Sequence, residues 1–184
     1  GWQVPIITDT NYEKAKILKI DKKRIQDYFN YNDVIVLAGF QGINIDGNVT
    51  SLGRGGSDTT AVAIASALEA QRCDIYTDVE GVFTTDPNIE ENAKKISKLS
   101  YEEMLEMAST GAKVLHTRSV ELAMKNNLTL QVLSSLSKKT GTFILDEKEF
   151  IEKEIVSGVS YSKNEAKVTI SGILDKPGIS AKIF

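Results

Sequence analysis

The chain has 184 residues, of which 41% are hydrophobic and 26% charged, with a formal net charge of −3. That balance excludes a disordered chain, and so small an acidic charge leaves no electrostatic footprint for nucleic acid. Cys73 is the only cysteine, so a disulfide framework is excluded; with no membrane-length apolar run and no signal-peptide pattern, the cytoplasm is the expected compartment.

In chain order, GWQVPIITDT opens on an apolar strand or loop, and both this start and the finish at AKIF read as cuts through a longer protein. DVIVLAGF (33–40) is a β-branched, aliphatic run that predicts a buried strand. GINIDGNVTS predicts a hairpin turning at Asp46-Gly47. SLGRGGSD (51–58) then opens a helix of about 58 to 71, with Ser57 and Asp58 as capping candidates. From Thr59 to Leu68 that helix has no charge, so it is expected to be buried nearly all round. DIYTD (74–78) reads as the next strand, and strand, helix and strand form a crossover unit favouring a parallel sheet.

VEGVFTTDPN is loop-like, punctuated by Gly81 and Pro87. Ser100 and Glu103 form a capping box ahead of a helix ending near Gly111, and a second helix is expected from about Ala112 to Lys125. LTLQVLS (128–134) returns as a strand. DEKEFIEKEI (146–155) is charge-dense and reads as a surface linker or connecting helix. Beyond it, AKVTISGI (166–173) predicts a strand and DKPGISAKIF (175–184) a turn feeding a helix. The expectation is an α/β fold, a mostly parallel sheet flanked by helices over 1–145, then a connecting segment at 146–155 and a second domain opening at 156–184.

The glycine-rich turn is neither a P-loop, lacking Gly-Lys-Ser/Thr, nor the dinucleotide fingerprint, because Asp58 holds the third glycine position. It can be a plain tight turn before a capped helix. It can equally bind an anion: a helix start offers free N–H groups and a positive dipole end, and the Arg54 fork suits carboxylate or phosphate. Asp58 could then orient a lysine ammonium. Thr77 and Asp78 end a strand at the carboxyl edge of the sheet, where ligands of α/β folds sit. Asp74, Asp78, Glu80 and Asp86 do not follow the EF-hand order and read as solvated loop acids. Lys113 stands at an expected helix start, against the dipole, which suggests an anion nearby, although an exposed lysine is the commoner reading of such a position. The single histidine, His116, is expected to pack or cap locally, and Cys73 to be a small core residue.

Together, GFQG (39–42), SLGRGGSDTTAVAIA (51–65), YTDVEGVFTTDP (76–87) and GAKVLHTRSVELA (111–123) resemble the aspartokinases of the amino-acid kinase superfamily. VTISGILDKPGISAKIF (168–184) is similar to the start of that family's regulatory ACT domain. The resemblance implies transfer of the ATP γ-phosphoryl group to the side-chain carboxylate of L-aspartate, the entry to lysine, methionine and threonine synthesis. It implies that Arg54 grips the α-carboxylate, that Phe40 and Ser57 line the same pocket, and that Asp58 orients catalytic lysines. It places Lys113 on the ATP phosphates, Thr77 and Asp78 at the nucleotide, and Phe83, Thr84, Thr85, Asp86, Pro87 and Asn88 in the loop covering it.

Mg2+ is implied on the phosphates, with no protein metal site. A homo-oligomer and feedback by lysine or threonine are implied for the whole protein. The family commonly has tyrosine where Phe83 stands and arginine where Asn88 stands, so one cation near the nucleotide is missing. Its Lys-containing Gly-Gly-Thr/Ser motif is not among these residues, so the chain alone is expected to be inactive. The alternatives are a glutamate or N-acetylglutamate kinase, against which the GRGGSD stretch argues, and a non-catalytic regulatory subunit.

Overall fold

Two four-stranded sheets share the chain, joined by the glycine-rich turn and its helix. The computed structural model describes residues 3, 5–112, 114–149 and 156–162. The first sheet has the order β2-β1-β3-β4, from β1 (Ile6–Thr8), β2 (Ile17–Ile20), β3 (Gln41–Ile43) and β4 (Val49–Ser51). β3 and β4 form the expected hairpin. Its turn is held by the Asn44 carboxamide oxygen, which accepts from the Asp46 and Asn48 amides, while Gly47 takes φ +80°. Helix α1 (Lys22–Phe29) begins at Asp21, whose carboxylate accepts the Arg24 amide at 3.1 Å.

The second sheet has the order β5-β7-β8-β6, from β5 (Cys73–Thr77), β6 (Lys98–Ser100), β7 (Leu130–Ser134) and β8 (Thr142–Leu145). Burial alternates along β5, with Cys73 and Ile75 inward and Asp74 and Tyr76 outward. β7 lies between β5 and β8 and is buried along nearly its whole length. Helices α2 (Gly56–Ala67), α3 (Tyr101–Ser109) and α4 (Thr117–Lys125) cover this sheet. Val62, Leu99, Met104, Val120, Leu130, Val132 and Ile144 form the fully buried centre of the shared core. α3 carries the expected capping box: Ser100 Oγ accepts the Glu103 amide, and the Glu103 carboxylate accepts the Ser100 amide.

Several expectations change. Residues 34–39 form no regular element and pair with no strand, and exposure alternates along them, reaching 92% at Val36. The apolar run is therefore not a buried strand, because no strand pairs with it among the described residues; the crossover unit expected from it is not formed either. Pairings divide evenly, with β1/β3, β5/β7 and β6/β8 parallel and the other three antiparallel. α2 starts at Gly56 with Gly55 as its N-cap, so neither Ser57 nor Asp58 caps it, and Ser57 is its only exposed residue. α4 starts at Thr117, five residues later than expected, because His116 rather than the Gly111 turn supplies its N-cap. The acidic segment shows one 3-10 turn at Glu147–Glu149; residues 150–155, the expected strand at 166–173 and the expected helix at 175–184 lie outside the described residues.

One side chain ties the two halves. The Arg118 guanidinium donates to the Leu52 carbonyl at 2.9 Å and to the Ala15 carbonyl at 2.8 Å. Both acceptors belong to fully buried residues, so their carbonyls depend on this donor. Hydrogen bonds from a charged donor contribute about 1.5–3 kcal/mol each, so Arg118→Ala is expected to lower stability by about 3 kcal/mol or more in urea denaturation, with Arg118→Lys recovering less than half. Ser100→Ala should cost about 1 kcal/mol by loss of the capping box.

Candidate active site

The glycine-rich turn is shaped from three sides. Leu52, fully buried, donates its amide to the Phe40 carbonyl at 2.9 Å, and Gly53 donates to Ser51 Oγ at 3.1 Å. Gly55 sits at φ +69°, where a Cβ would lie 2.4 Å from the Cβ of His116. No side chain fits between this backbone and α4. On the third side Phe40 is held at φ +70°, a conformation costing a bulky residue about 1–3 kcal/mol unless its surroundings enforce it. Its amide donates to Thr60 Oγ1 at 3.1 Å, while that hydroxyl donates to the Gly56 carbonyl at 2.7 Å. The Phe40 ring thus rests over the first residue of α2, close enough that a Cβ on Gly56 would be 2.9 Å from Cδ2. Phe40 remains 50% exposed, so the ring forms a wall and not part of the core.

Above this wall are the groups that could meet an anion. Gly55 offers no side-chain cap, and the Ser57 and Asp58 amides donate to no described residue. Arg54 is exposed and forms no ion pair with a described residue. Asp58 is half-buried, and burial raises its carboxyl above the usual carboxylate range, opposed by the Ser57 hydroxyl at 3.5 Å and by nearby His116. Among the described residues the arrangement is an exposed cation, two N–H groups free at a helix start and a carboxylate with no Lys or Arg salt-bridge partner. It can hold one carboxylate-bearing ligand and one ammonium.

The second group of candidates lies where the parallel strands β5 and β7 end side by side. Thr77 pairs with Ser134, its carbonyl accepts the Ser135 amide at 2.8 Å, and its hydroxyl donates to Asp78 Oδ1 at 3.0 Å. α2 leads into β5 through residues 68–72. The third group, Phe83 to Asn88, begins a hairpin rather than a free loop. Phe83 bridges to Lys95, the Thr84 amide donates to the Lys94 carbonyl at 2.8 Å, and the Ile96 amide donates to the Val82 carbonyl at 2.9 Å. Buried Thr142 anchors its base: its Oγ1 accepts the Val82 amide at 2.9 Å and donates to the Ile96 carbonyl at 2.6 Å. Thr85 is half-buried, and Asp86, Pro87 and Asn88 are exposed at the tip. There the Asp86 carboxylate accepts the Asn88 amide and carboxamide at 2.9 and 3.0 Å.

Lys113 lies outside the described residues. Asp74, Asp78, Glu80 and Asp86 do not converge, and the described residues contain no group of three or more His, Cys, Asp or Glu suited to a metal ion. Asp74 pairs instead with Arg72, and Glu80 with Lys139. His116 caps α4 as expected, its Nδ1 accepting the Arg118 amide at 3.3 Å, but its contact with Gly55 has no counterpart in the sequence pattern. Sequence reasoning missed Arg118 itself. The available signal was a cation in the first turn of a helix, disfavoured there unless acceptors hold it. Cys73 is buried as expected, and desolvation pushes its thiol up to about 11, so it is an inert core group.

Comparison with known proteins decides the family. The model of the amino acid kinase family matches residues 1–134 of the 184. The chain belongs to the amino acid kinase family. An aspartate kinase of Stutzerimonas stutzeri is 53% identical over the whole of this chain, which covers 45% of that protein. An aspartokinase of Helicobacter pylori is 52% identical over the whole chain and 46% of its own length. The chain thus spans about half the length of the curated relatives it matches. Among solved structures, E. coli aspartokinase III in complex with aspartate and ADP superposes with a TM-score of 0.68 at 35% identity, over 80% of this chain and 34% of that one. Aspartate kinase from Synechocystis gives 0.67 at 42% identity, over 85% of this chain and 25% of that one.

Within this family member the fit of Gly55 against α4 makes a sharp contrast with the hairpin glycine. Gly47 is also left-handed, but a Cβ added there would meet no atom within 4 Å, whereas one on Gly55 would run into His116. Gly47→Ala is expected to cost about 1 kcal/mol from backbone strain alone. Gly55→Ala should cost at least twice that, read as the difference in urea midpoints between the two variants.

Proposed function

We propose that these residues are the nucleotide-side portion of an aspartokinase, transferring the ATP γ-phosphoryl group to the β-carboxylate of L-aspartate. The observation that carries this reading is the helix start of α2, where amides and an exposed Arg54, without partners among the described residues, stand beside a Phe40 held in a strained conformation. Strain of that kind persists where the surrounding structure enforces it, and it gathers at ligand sites. Support for aspartate over other acceptors comes from the relatives at about half identity, which are aspartate kinases, and from the E. coli neighbour crystallised with aspartate and ADP.

In this reading the Arg54 guanidinium takes the α-carboxylate of aspartate in a two-pronged pair, with the Ser57 amide and hydroxyl beside it and the Phe40 ring closing one wall. The β-carboxylate is left to point at the phosphates. One of its oxygens forms a bond to the γ-phosphorus as the bond from that phosphorus to the β,γ-bridging oxygen breaks, and the electron pair leaves with ADP. The attacking group is already an anion, so no base is needed. The difficulty is repulsion: two unit charges about 4 Å apart interact by about 4 kcal/mol at an effective dielectric near 20. Fixed cations and positioning therefore supply most of the catalysis.

Asp58 is the half-buried carboxylate that orients a catalytic lysine ammonium, and Lys113 is the lysine that reaches the phosphates. Thr77 and Asp78 meet the nucleotide at the strand edge, and the Phe83–Asn88 stretch covers it. Mg2+ enters with the nucleotide, held by phosphate oxygens. Asn88, engaged by Asp86, replaces a cation with a neutral tip.

The open apolar edge at Val34 and Val36 supports a longer parent domain, because a strand-forming run of that kind is covered by a neighbouring strand in a complete sheet. Residues 1–145 are then kinase domain, 146–155 a connector and 156–184 the opening of an ACT domain. The parent acts in the cytoplasm as a homo-oligomer at the head of lysine, threonine and methionine synthesis, under feedback by lysine or threonine; a second E. coli aspartokinase III structure holds lysine and aspartate. A glutamate or N-acetylglutamate kinase and a regulatory subunit remain the competing readings.

Hydroxylamine trapping of the acyl phosphate tests this. The chain alone is expected to bind Mg-ADP without forming product. Fused to the remainder of the Helicobacter pylori aspartokinase domain, it should form product with L-aspartate and not with glutamate or N-acetylglutamate. Preferential phosphorylation of glutamate would contradict the assignment. In the fusion, Arg54→Ala should raise KM for aspartate about 100-fold with KM for ATP nearly unchanged, and Asp58→Asn should lower kcat at least 100-fold.

A further inference from the structure

Residues 156–162 return to the molecule beyond the charged segment and lie against two stretches already assigned to the nucleotide. The Val159 amide donates to the Thr84 carbonyl at 2.7 Å, adding a third chain to the hairpin at the residue whose own amide bonds Lys94. Gly158 packs where a Cβ would be 3.0 Å from the Thr84 carbonyl oxygen and 3.3 Å from Met107 Cε, so the strap passes between hairpin and α3. Ser157 Oγ donates to the Glu103 carboxylate, the same group that closes the capping box of α3. Ser160 Oγ is hydrogen-bonded to Thr110 Oγ1. At Tyr161 the carbonyl oxygen closes on Gly111, where a Cβ would be 2.4 Å away. These contacts, one from each residue of 157–161, join the base of the covering hairpin to the turn two residues before Lys113.

We infer that residues 157–161 are a strap that sets the position of the Phe83–Lys95 hairpin, with Val159 and Ser160 as positioning residues for the nucleotide. The inference rests on the reading above that this hairpin covers the nucleotide. The physical argument is one of anchoring. Below the hairpin, Thr142 fixes Val82 and Ile96, but the exposed tip at Asp86–Asn88 is held only by its own turn. Between base and tip, the single bond from outside the hairpin to its backbone comes from Val159, among the described residues. Removing it loosens the hairpin at a point remote from the glycine-rich turn, because the hydrogen bonds of Ser157, Val159 and Ser160 go to Glu103, Thr84 and Thr110. The strap therefore acts on nucleotide affinity separately from affinity for the carboxylate substrate.

The test uses the full chain with Val159→Pro, which deletes the donated N–H, and Ser160→Ala, which deletes the hydroxyl pair. Amide exchange at Thr84, Lys94 and Ile96, Mg-ADP affinity by titration, and L-aspartate affinity are measured on each. Val159→Pro is expected to speed exchange at those amides at least tenfold and weaken Mg-ADP about tenfold, with L-aspartate affinity unchanged. Ser160→Ala should move the same quantities in the same direction by a smaller factor, and Ser160→Thr should restore them. Should Val159→Pro not fold, Ser160→Ala and Thr110→Ala carry the comparison. Unchanged exchange in the folded variants, or equal weakening of both ligands, would overturn the inference. If the unaltered chain binds no Mg-ADP while exchange still responds, the nucleotide reading fails and the strap is only a structural tie.

Discussion

The guanidinium of Arg118 holds the backbone on which everything at the site depends. Its two bonds reach the carbonyls of Ala15, ahead of β2, and Leu52, just after β4, and both are donated from the start of α4, which packs on the second sheet. Leu52 is the last residue before the glycine-rich turn, so the bond that joins the halves also sets where that turn begins. His116, two residues earlier, presses on Gly55 from the same helix start. With α4 on one side and Phe40 on the other, the turn has one available path, and that path leaves Arg54 and the first amides of α2 facing outward. The stiffness of the site comes from backbone packed against the side chains of His116 and Phe40, which is why glycines stand at 55 and 56, where a Cβ would collide.

That stiffness matters under the proposed function, because phosphorylating a carboxylate consists mainly of placing like charges together. An enzyme that joins a carboxylate to a phosphoryl group gains from cations and dipoles already in position, since reorganising them during the reaction would consume their advantage. The α2 terminus supplies a fixed dipole, Arg54 an exposed cation beside it, and Asp58 a half-buried carboxylate that forms no salt bridge with a Lys or Arg among the described residues. The second cluster, at the ends of β5 and β7 and in the hairpin, is built differently: side-chain hydroxyls from Thr77, Thr84 and Thr142 tie loops together, and the strap adds Ser157 and Ser160. The glycine-rich turn, closed in by His116 and Phe40, thus differs in build from the strand-edge and hairpin region, whose ties are side-chain hydroxyls.

What was legible in the sequence follows the range of the interactions. The Asp46-Gly47 hairpin, the Ser100–Glu103 box and strand β7 are written in neighbouring residues, and each formed where its turn or cap chemistry put it. The run at 33–40 has the composition of a buried strand, but a strand also needs a partner, and composition is silent on partners. The start of α4 is hidden from sequence because its N-cap is a histidine, a poor capper by statistics, chosen here for its fit against Gly55. β6 and β8 are three and four residues long and carry too little periodicity to be seen. At the site, the motif brought Phe40, Arg54, Ser57 and Asp58 to one helix start. The roles of Thr60, Arg118 and the strap depend instead on contacts between distant parts of the chain, Phe40 with Thr60, Leu52 with Arg118 and Thr84 with Val159, which no local pattern encodes.

The most direct test of the central claim is amide-shift mapping of L-aspartate on the isotopically labelled chain in the presence of Mg-ADP, repeated with Arg54→Ala. The account predicts that aspartate perturbs Phe40, Arg54, Ser57, Asp58 and Thr60, that Mg-ADP perturbs Thr77, Asp78 and the 83–88 stretch, and that Arg54→Ala abolishes only the first set. Aspartate shifts that survive Arg54→Ala, or that fall instead on the opposite edge of the second sheet around Arg72 and Lys98, would contradict it.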